Sequence, residues 1–136
     1  METFQEYAAA GMGIAYHAQN YPEKKAIISE YGERTFKELN ENSNKFANFL
    51  RNEGVKAGDA VAILSKNRPE FLGALFGTLR IGLRITPINL HLTPEEVVYI
   101  VNNCEAKVLV CEAIFGESIE AINKELPDVM ILAVDG

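Results

Sequence analysis

"RIGLRITPINLHLTPEE", residues 80–96, decides the fold. Its first part is the tail of an apolar helical run that stops at Gly82. "RITPIN" (84–89) is a short β-prone segment carrying Pro87, which cannot donate to a ladder and suits the end of a strand. "LHL" is a loop, and "TPEE" opens another helix: Thr93 is a possible N-cap, Glu96 follows three residues later, and Pro94 stands at the first helical position. Helix, strand, loop and helix in so few residues imply a strand fed by one crossover helix and leaving into the next.

The same start signal occurs twice more. "TFQE" at Thr3 and "TFKE" at Thr35 repeat the capping-box spacing. The first predicts a helix using Phe4, Tyr7, Ala8, Gly11 and Ala15 on one face. The second predicts a helix with Leu39, Ser43, Phe46, Ala47 and Leu50 on one face, stopped by Gly54. After Thr93, Val97, Ile100, Val101 and Cys104 share a face, with Glu95, Glu96, Asn102 and Asn103 turned out. Between the first two helices, "KAIISEYGERTF" places two β-prone runs around Tyr31-Gly32, a tight hairpin. From residue 60 the rhythm changes to short apolar runs, "AVAILS" (60–65), "RITPIN" (84–89), "KVLVCE" (107–112) and "VMILAV" (129–134), separated by helical stretches. Runs of this kind suit strands covered on both faces. The expected fold is therefore α/β: a doubly wound, mostly parallel sheet flanked by helices, β-α-β over 60–134, preceded by an N-terminal helix and a β-hairpin. Gly73 and Gly77 share a helix face and are expected to let that helix lie close on the sheet.

Bulk properties narrow the function. The 136 residues suit one domain, and 48% hydrophobic with 24% charged residues is an ordinary globular balance. A net charge of −6 argues against nucleic acid as partner, since that wants a basic face. The longest apolar stretch, "FLGALFGTLRIGL", contains Arg80 and is too short for a membrane span, which takes about 20 residues. No basic region precedes an apolar run at the start, so no signal peptide is indicated and a cytoplasmic location is expected. Cys104 and Cys111 form no CxxC pair and lie far in sequence from His17 and His91, so neither a zinc site nor any other metal site is expected.

Signatures of catalysis are absent from the sequence. "GMG" at 11–13 is followed by Tyr16 where a dinucleotide fingerprint needs glycine, and no strand precedes it. There is no GxSxG elbow and no GxxxxGK[ST] phosphate loop. Asp59 is expected to be a turn residue before a strand, and Ser65-Lys66-Asn67 stands where a receiver domain would carry acids. Lys66, Arg68 and Arg80 are expected to be solvated loop and helix-end charges. No catalytic residue is assigned.

Four motifs in order carry more. "RTFKEL" (34–39), "GVKAGDAVAIL" (54–64), "LRIGLRITPIN" (79–89) and "LTPEE" (92–96) resemble the N-terminal part of adenylate-forming enzymes, the superfamily of acyl-CoA synthetases, luciferases and peptide-synthetase adenylation domains. The resemblance runs from about Tyr16 to Val110. Ile81 and Arg84 depart from the pattern, which has small or apolar residues there. Arg84 begins the strand, where the surface accommodates it. "RITPIN" is expected to be a central strand of the sheet.

The resemblance implies an ATP-dependent carboxylic acid–CoA ligase, with ATP, Mg2+ and CoA as cofactors of the full-length enzyme and a place in fatty acid metabolism. It implies that the phosphate loop, the acyl pocket and the catalytic lysine lie downstream. Residues 1–136 would then be part of a larger N-terminal domain, inactive alone and binding none of these cofactors tightly. Its partner would be the remainder of the ligase chain, with a homodimer through exposed apolar surface as a further expectation. The alternative is a stand-alone α/β binding or interaction module derived from the same fold. The resemblance also implies that the loop Asn89, Leu90, His91 lies on the side from which CoA approaches, and these three are the tentative substrate-binding residues.

Overall fold

The computed structural model describes residues 2–134. The order of elements is α1 (Phe4–Ala9), α2 (Gly13–Asn20), β1 (Lys25–Ser29), β2 (Gly32–Thr35), α3 (Phe36–Asn52), β3 (Ala60–Leu64), α4 (Pro69–Arg80), β4 (Arg84–Pro87), α5 (Pro94–Asn103), β5 (Ala106–Glu112), α6 (Gly116–Glu125) and β6 (Met130–Val134). They fall into two compact units. One holds the chain up to Ala57 together with Asn67–Gly82. The other holds Gly58–Lys66 and everything from Leu83 onward.

In the first unit α1 and α3 begin at hydroxyl caps. Thr3 and Thr35 each accept the backbone N–H of a glutamate three residues on, at 3.2 and 3.1 Å. Each glutamate in turn accepts the threonine's own N–H, so two orphan donors per helix are satisfied. The single helix expected after Thr3 is in fact two. Gly11 adopts φ +73, its N–H bonds Ala8 O, and the Met12 N–H bonds Tyr7 O at 2.7 Å. This paired closure ends α1 after Ala9, because a left-handed residue cannot continue the helix and glycine takes that conformation without a Cβ clash. The first glycine of "GMG" is thus a helix stop. In the hairpin, Ser29 faces Gly32, so the turn is Glu30-Tyr31 and Gly32 already belongs to β2, one residue earlier than the sequence suggests.

α3 buries Leu39, Ser43, Ala47 and Leu50, and α4 buries Gly73, Ala74, Gly77 and Thr78. Fully burying a leucine such as Leu50 contributes about 1.5–3 kcal/mol. The buried hydroxyls do not oppose this, since Ser43 donates to Leu39 O and Thr78 to Ala74 O at 2.8 and 2.7 Å. The glycine face of α4 packs on a helix, not on the sheet as expected: a Cβ on Gly77 would meet Ser43 O, and one on Gly73 would meet Asn42. The basic residues here also differ from expectation. Arg68 is 8% exposed, bonds Glu70 at 3.3 Å and lies over the Tyr31 ring. Arg80 donates through Nη1 to Asn40 O and to Asn44 Oδ1 on α3, and its burial lowers the guanidinium pKa. Long charged side chains can bury their stems, and Arg80 Nε and Nη2 are buried without a hydrogen-bond partner, which sequence position alone does not reveal.

The second unit is the parallel sheet, in the order β4-β3-β5-β6. Every pair is parallel: Val61 faces Ile85 and Val108, and Leu109 faces Ile131. β3 is buried throughout, as a continuous apolar run between two strands requires. Val97 and Val101 of α5, Ile122 of α6 and Leu126 form one core with Ala62, Leu64, Leu109 and Cys111. The mixed α/β architecture with a parallel sheet and accompanying helices is as expected. The position of 84–87 is not. Among the described residues β4 pairs only with β3, so it is an edge strand. Arg84 and Pro87 are exposed at its two ends, and edges are where proline and charge are tolerated.

Candidate functional site

The sheet order locates the place where a ligand would gather. The chain enters at β3, steps to β4 on one side and then returns to β5 on the other. Strand order therefore reverses between β3 and β5. In open α/β sheets ligands bind outside the carboxyl ends of the strands at such a reversal. Within this unit the segments at those ends are the loops Ser65-Lys66 after β3 and Ile88–Thr93 after β4, and the short 3-10 helix Ala113–Phe115 after β5.

The β4 loop is held at both ends. The Ile88 N–H continues the ladder to Ile63 O at 2.8 Å, past Pro87, and the Ile88 side chain is buried. At the far end Thr93 Oγ1 accepts the Glu96 N–H, and Glu96 Oε1 accepts both the N–H and the hydroxyl of Thr93. Between the anchors Leu90 and Leu92 lie half-buried against the α5–α6 core. Asn89 and His91, the alternate residues, are exposed. Asn89 Oδ1 accepts the His91 N–H at 2.9 Å, an Asx turn that sets the bend. Of the three residues singled out in the sequence, the structure presents Asn89 and His91 to solvent and turns Leu90 toward the core. Beside them Leu92, Glu95, Glu96, Tyr99 and Ile100 line a shallow concavity of about 440 Å3, with Tyr99 70% exposed. No sequence signal marked Tyr99, because it stands off the apolar stripe of α5.

No glycine-rich phosphate cradle stands at these loops among the described residues. The β3–α4 connection, Ser65-Lys66-Asn67-Arg68, has no glycine, and α4 opens with Pro69, which has no N–H to offer a phosphate. Ser65 Oγ donates to Lys66 O at 2.9 Å. Glu95 and Glu96 give the concavity beside the β4 loop an acidic rim, unsuited to polyphosphate. Among the described residues no group of three or more His, Cys, Asp and Glu side chains could hold a metal ion, and no helix is long and apolar enough to cross a membrane. Both cysteines are free thiols. Cys111 is buried, which pushes its thiol up to about 11, and Cys104 is half-buried at the end of α5.

The first unit carries a separate concavity of about 310 Å3, lined by Phe4, Gly13, Ile14, His17, Phe76 and Leu79 among others. His17 sits in an aromatic cluster there, 5.2 Å from the Phe4 ring and 5.0 Å from Phe36. The contacts described for this imidazole are with rings, as a packing residue makes.

Comparison with known proteins bears on this geometry. Residues 14–135 match the sequence profile of the family described as AMP-binding enzyme. The chain is 31% identical over 117 residues to fatty acid–[acyl-carrier-protein] ligase ScoC of Streptomyces coeruleorubidus, covering 86% of this chain and 22% of that protein. It is 34% identical over 109 residues to the 3-hydroxybenzoate–CoA/4-hydroxybenzoate–CoA ligase of Thauera aromatica, covering 80% and 21%. Among solved structures, the anthranilate CoA ligase AuaEII, in complex with anthranoyl-AMP, superposes with a TM-score of 0.86 at 28% identity, over 92% of this chain and 24% of that one. The chain thus spans about a fifth to a quarter of the length of the relatives it matches.

Proposed function

The chain belongs to the AMP-binding enzyme family, and on that premise we propose that it forms part of the N-terminal domain of an ATP-dependent carboxylic acid–CoA ligase. The complete enzyme would make an acyl-adenylate and then pass the acyl group to the thiol of CoA, using ATP, Mg2+ and CoA in the cytoplasm. The observation that carries this reading is the near end-to-end family match of a chain whose sheet winds about β3 and exposes its loops at the carboxyl ends.

In this reading residues 1–136, with their parallel core over 60–134, are scaffold and not reaction centre. Adenylation needs donors and cations fixed around the α-phosphate, and removal of even one such donor commonly costs about 2.7–4 kcal/mol, a factor of roughly 100 to 1,000. The described residues contain no phosphate cradle, so the groups that do this work belong to the remainder of the ligase chain. The β4 loop contributes on the CoA side: Leu90 anchors it, Asn89 offers its amide and His91 its ring. The acidic rim of Glu95 and Glu96 directs these contacts to an uncharged part of CoA, such as the adenine face, rather than to its phosphates.

The test is carboxylate-dependent exchange of labelled pyrophosphate into ATP, run with fatty, short and aromatic acids. Residues 1–136 alone are expected to give only background exchange, and a relative's ligase with this segment in place of its own is expected to retain it. Exchange by the isolated chain, or a chimera that folds and is inert with every acid, would overturn the reading. In the active chimera His91→Ala is expected to raise the apparent KM for CoA while sparing pyrophosphate exchange. Unchanged CoA kinetics would remove the loop from the CoA side.

A further inference from the structure

Helix α4 ends on Arg80, a cation with no carboxylate ion-paired to it among the described residues. Its side chain turns onto α3, where Nη1 donates to Asn40 O at 3.2 Å and to Asn44 Oδ1 at 2.8 Å. Those two bonds occupy both hydrogens of Nη1. The other edge of the guanidinium, Nε and Nη2, is buried and bonds no group among the described residues. The Nε–H and the nearer Nη2–H point the same way and form the planar fork with which arginine grips an acceptor. A second orphan lies in the same cluster. Asn40, whose backbone oxygen receives Nη1, has its side-chain Oδ1 buried without a donor. Buried polar groups left unmade are costly, so a fork of donors and a lone acceptor in one cluster call for an account.

We propose that one internal water molecule joins these groups, accepting from the Nε/Nη2 fork of Arg80 and donating to Asn40 Oδ1. The signs of the orphans select the ligand. Donors on one residue and an acceptor on the other need a species that accepts and donates at once, and water does both. An anion such as chloride would satisfy the fork but set its charge against Oδ1, and a cation would meet the guanidinium. A buried water commonly makes about three hydrogen bonds, and the two prongs of the fork with Oδ1 supply that number. The bridge ties the last residue of α4 to α3 beside the direct bonds at Asn40 O and Asn44 Oδ1. A lysine has no planar fork, so the site is specific to arginine at position 80. Both residues belong to the first unit, and the orphaned atoms are already enclosed by described residues. The inference therefore depends neither on what else packs against the chain nor on the ligase reading.

Water-selective NMR on the nitrogen-labelled chain tests it. The Arg80 Nε–H resonance, assigned by its loss in Arg80→Lys, is expected to show a dipolar cross-peak to water, opposite in rotating-frame sign to chemical exchange. Asn40→Leu removes Oδ1, and this variant is expected to lose the cross-peak while keeping its circular dichroism. A crystal structure of the unmodified chain gives a second reading that needs no variant: an ordered water is expected within hydrogen-bonding distance of both the fork and Asn40 Oδ1. An Nε–H without a dipolar water cross-peak, a cross-peak that survives in a folded Asn40→Leu chain, or a resonance that titrates with chloride would each overturn the proposal. So would crystals in which Oδ1 has turned to bond the fork directly, or in which no water lies between the two.

Discussion

Replacing Gly77 and Gly73 by alanine, one at a time, should move stability in opposite directions although both lie on the same face of α4. Alanine in a helix interior is favoured over glycine by about 0.5–1 kcal/mol, so each variant starts with that gain. At Gly73 the added Cβ meets Asn42 Cβ at 3.6 Å, ordinary van der Waals contact, and the gain is retained. At Gly77 the added Cβ falls 2.7 Å from Ser43 O and 3.1–3.2 Å from Phe46 side-chain atoms. The carbonyl belongs to α3 backbone and cannot turn aside, so the helices must separate or shift. Overpacking of this kind costs about 1–3 kcal/mol. The net expectation is Gly73→Ala more stable by about 0.5–1 kcal/mol and Gly77→Ala less stable by about 1–2 kcal/mol. With a urea slope of about 1–3 kcal/mol per molar, the two midpoints should stand roughly 1 M apart on either side of the parent. Urea unfolding followed by circular dichroism reads this directly. Equal shifts in one direction, or a higher midpoint for Gly77→Ala, would refute the close approach of α3 and α4.

Other expectations rest on single groups. Thr35→Ala should cost about 1 kcal/mol at neutral pH by removing a hydroxyl cap, measured by thermal unfolding. Glu38 has its folded pKa lowered from 4.5, first by the Thr35 backbone N–H and then by its hydroxyl, so its contribution is present above the unfolded value and lost as pH falls through the folded one; the stability gap to Glu38→Gln should narrow below pH 4.5. Cys111, raised from 9.0 to about 11 by burial, should resist a thiol reagent in the native chain while Cys104 reacts, and its share of stability, complete below pH 9, should be lost as pH rises to 11. Glu105 follows α5 at φ +57, a conformation that costs a side-chain-bearing residue roughly 1–2 kcal/mol, so Glu105→Gly should raise the unfolding midpoint.

The parts of this protein that its sequence determines are those whose physics closes within a few residues. Each capping box joins a threonine to a glutamate three positions on, and all three form. The apolar runs at 60–64, 107–112 and 130–134 become strands because only a covered sheet satisfies both their side chains and their backbone. The motif order from Arg34 to Glu96 led to the right family, and the bend at Asn89-Leu90-His91 was legible as a loop between a proline-terminated strand and a capped helix. What tertiary structure decided is which surfaces meet. The small residues of α4 announce a close approach without saying to what, and the partner proves to be α3. Pro87 was compatible with a strand end anywhere in a sheet, and only the pairing of β3 with both β4 and β5 puts it at an edge. Arg68 is charged like a surface residue, yet its burial depends on Glu70 and the Tyr31 ring of the distant hairpin. Tyr99 lies off its helix's apolar stripe, so its place beside Leu92 and Ile100 came from the fold. Neighbours far apart in the chain are chosen by packing and hydrogen-bond satisfaction over the whole molecule, and no local pattern of residues contains that choice.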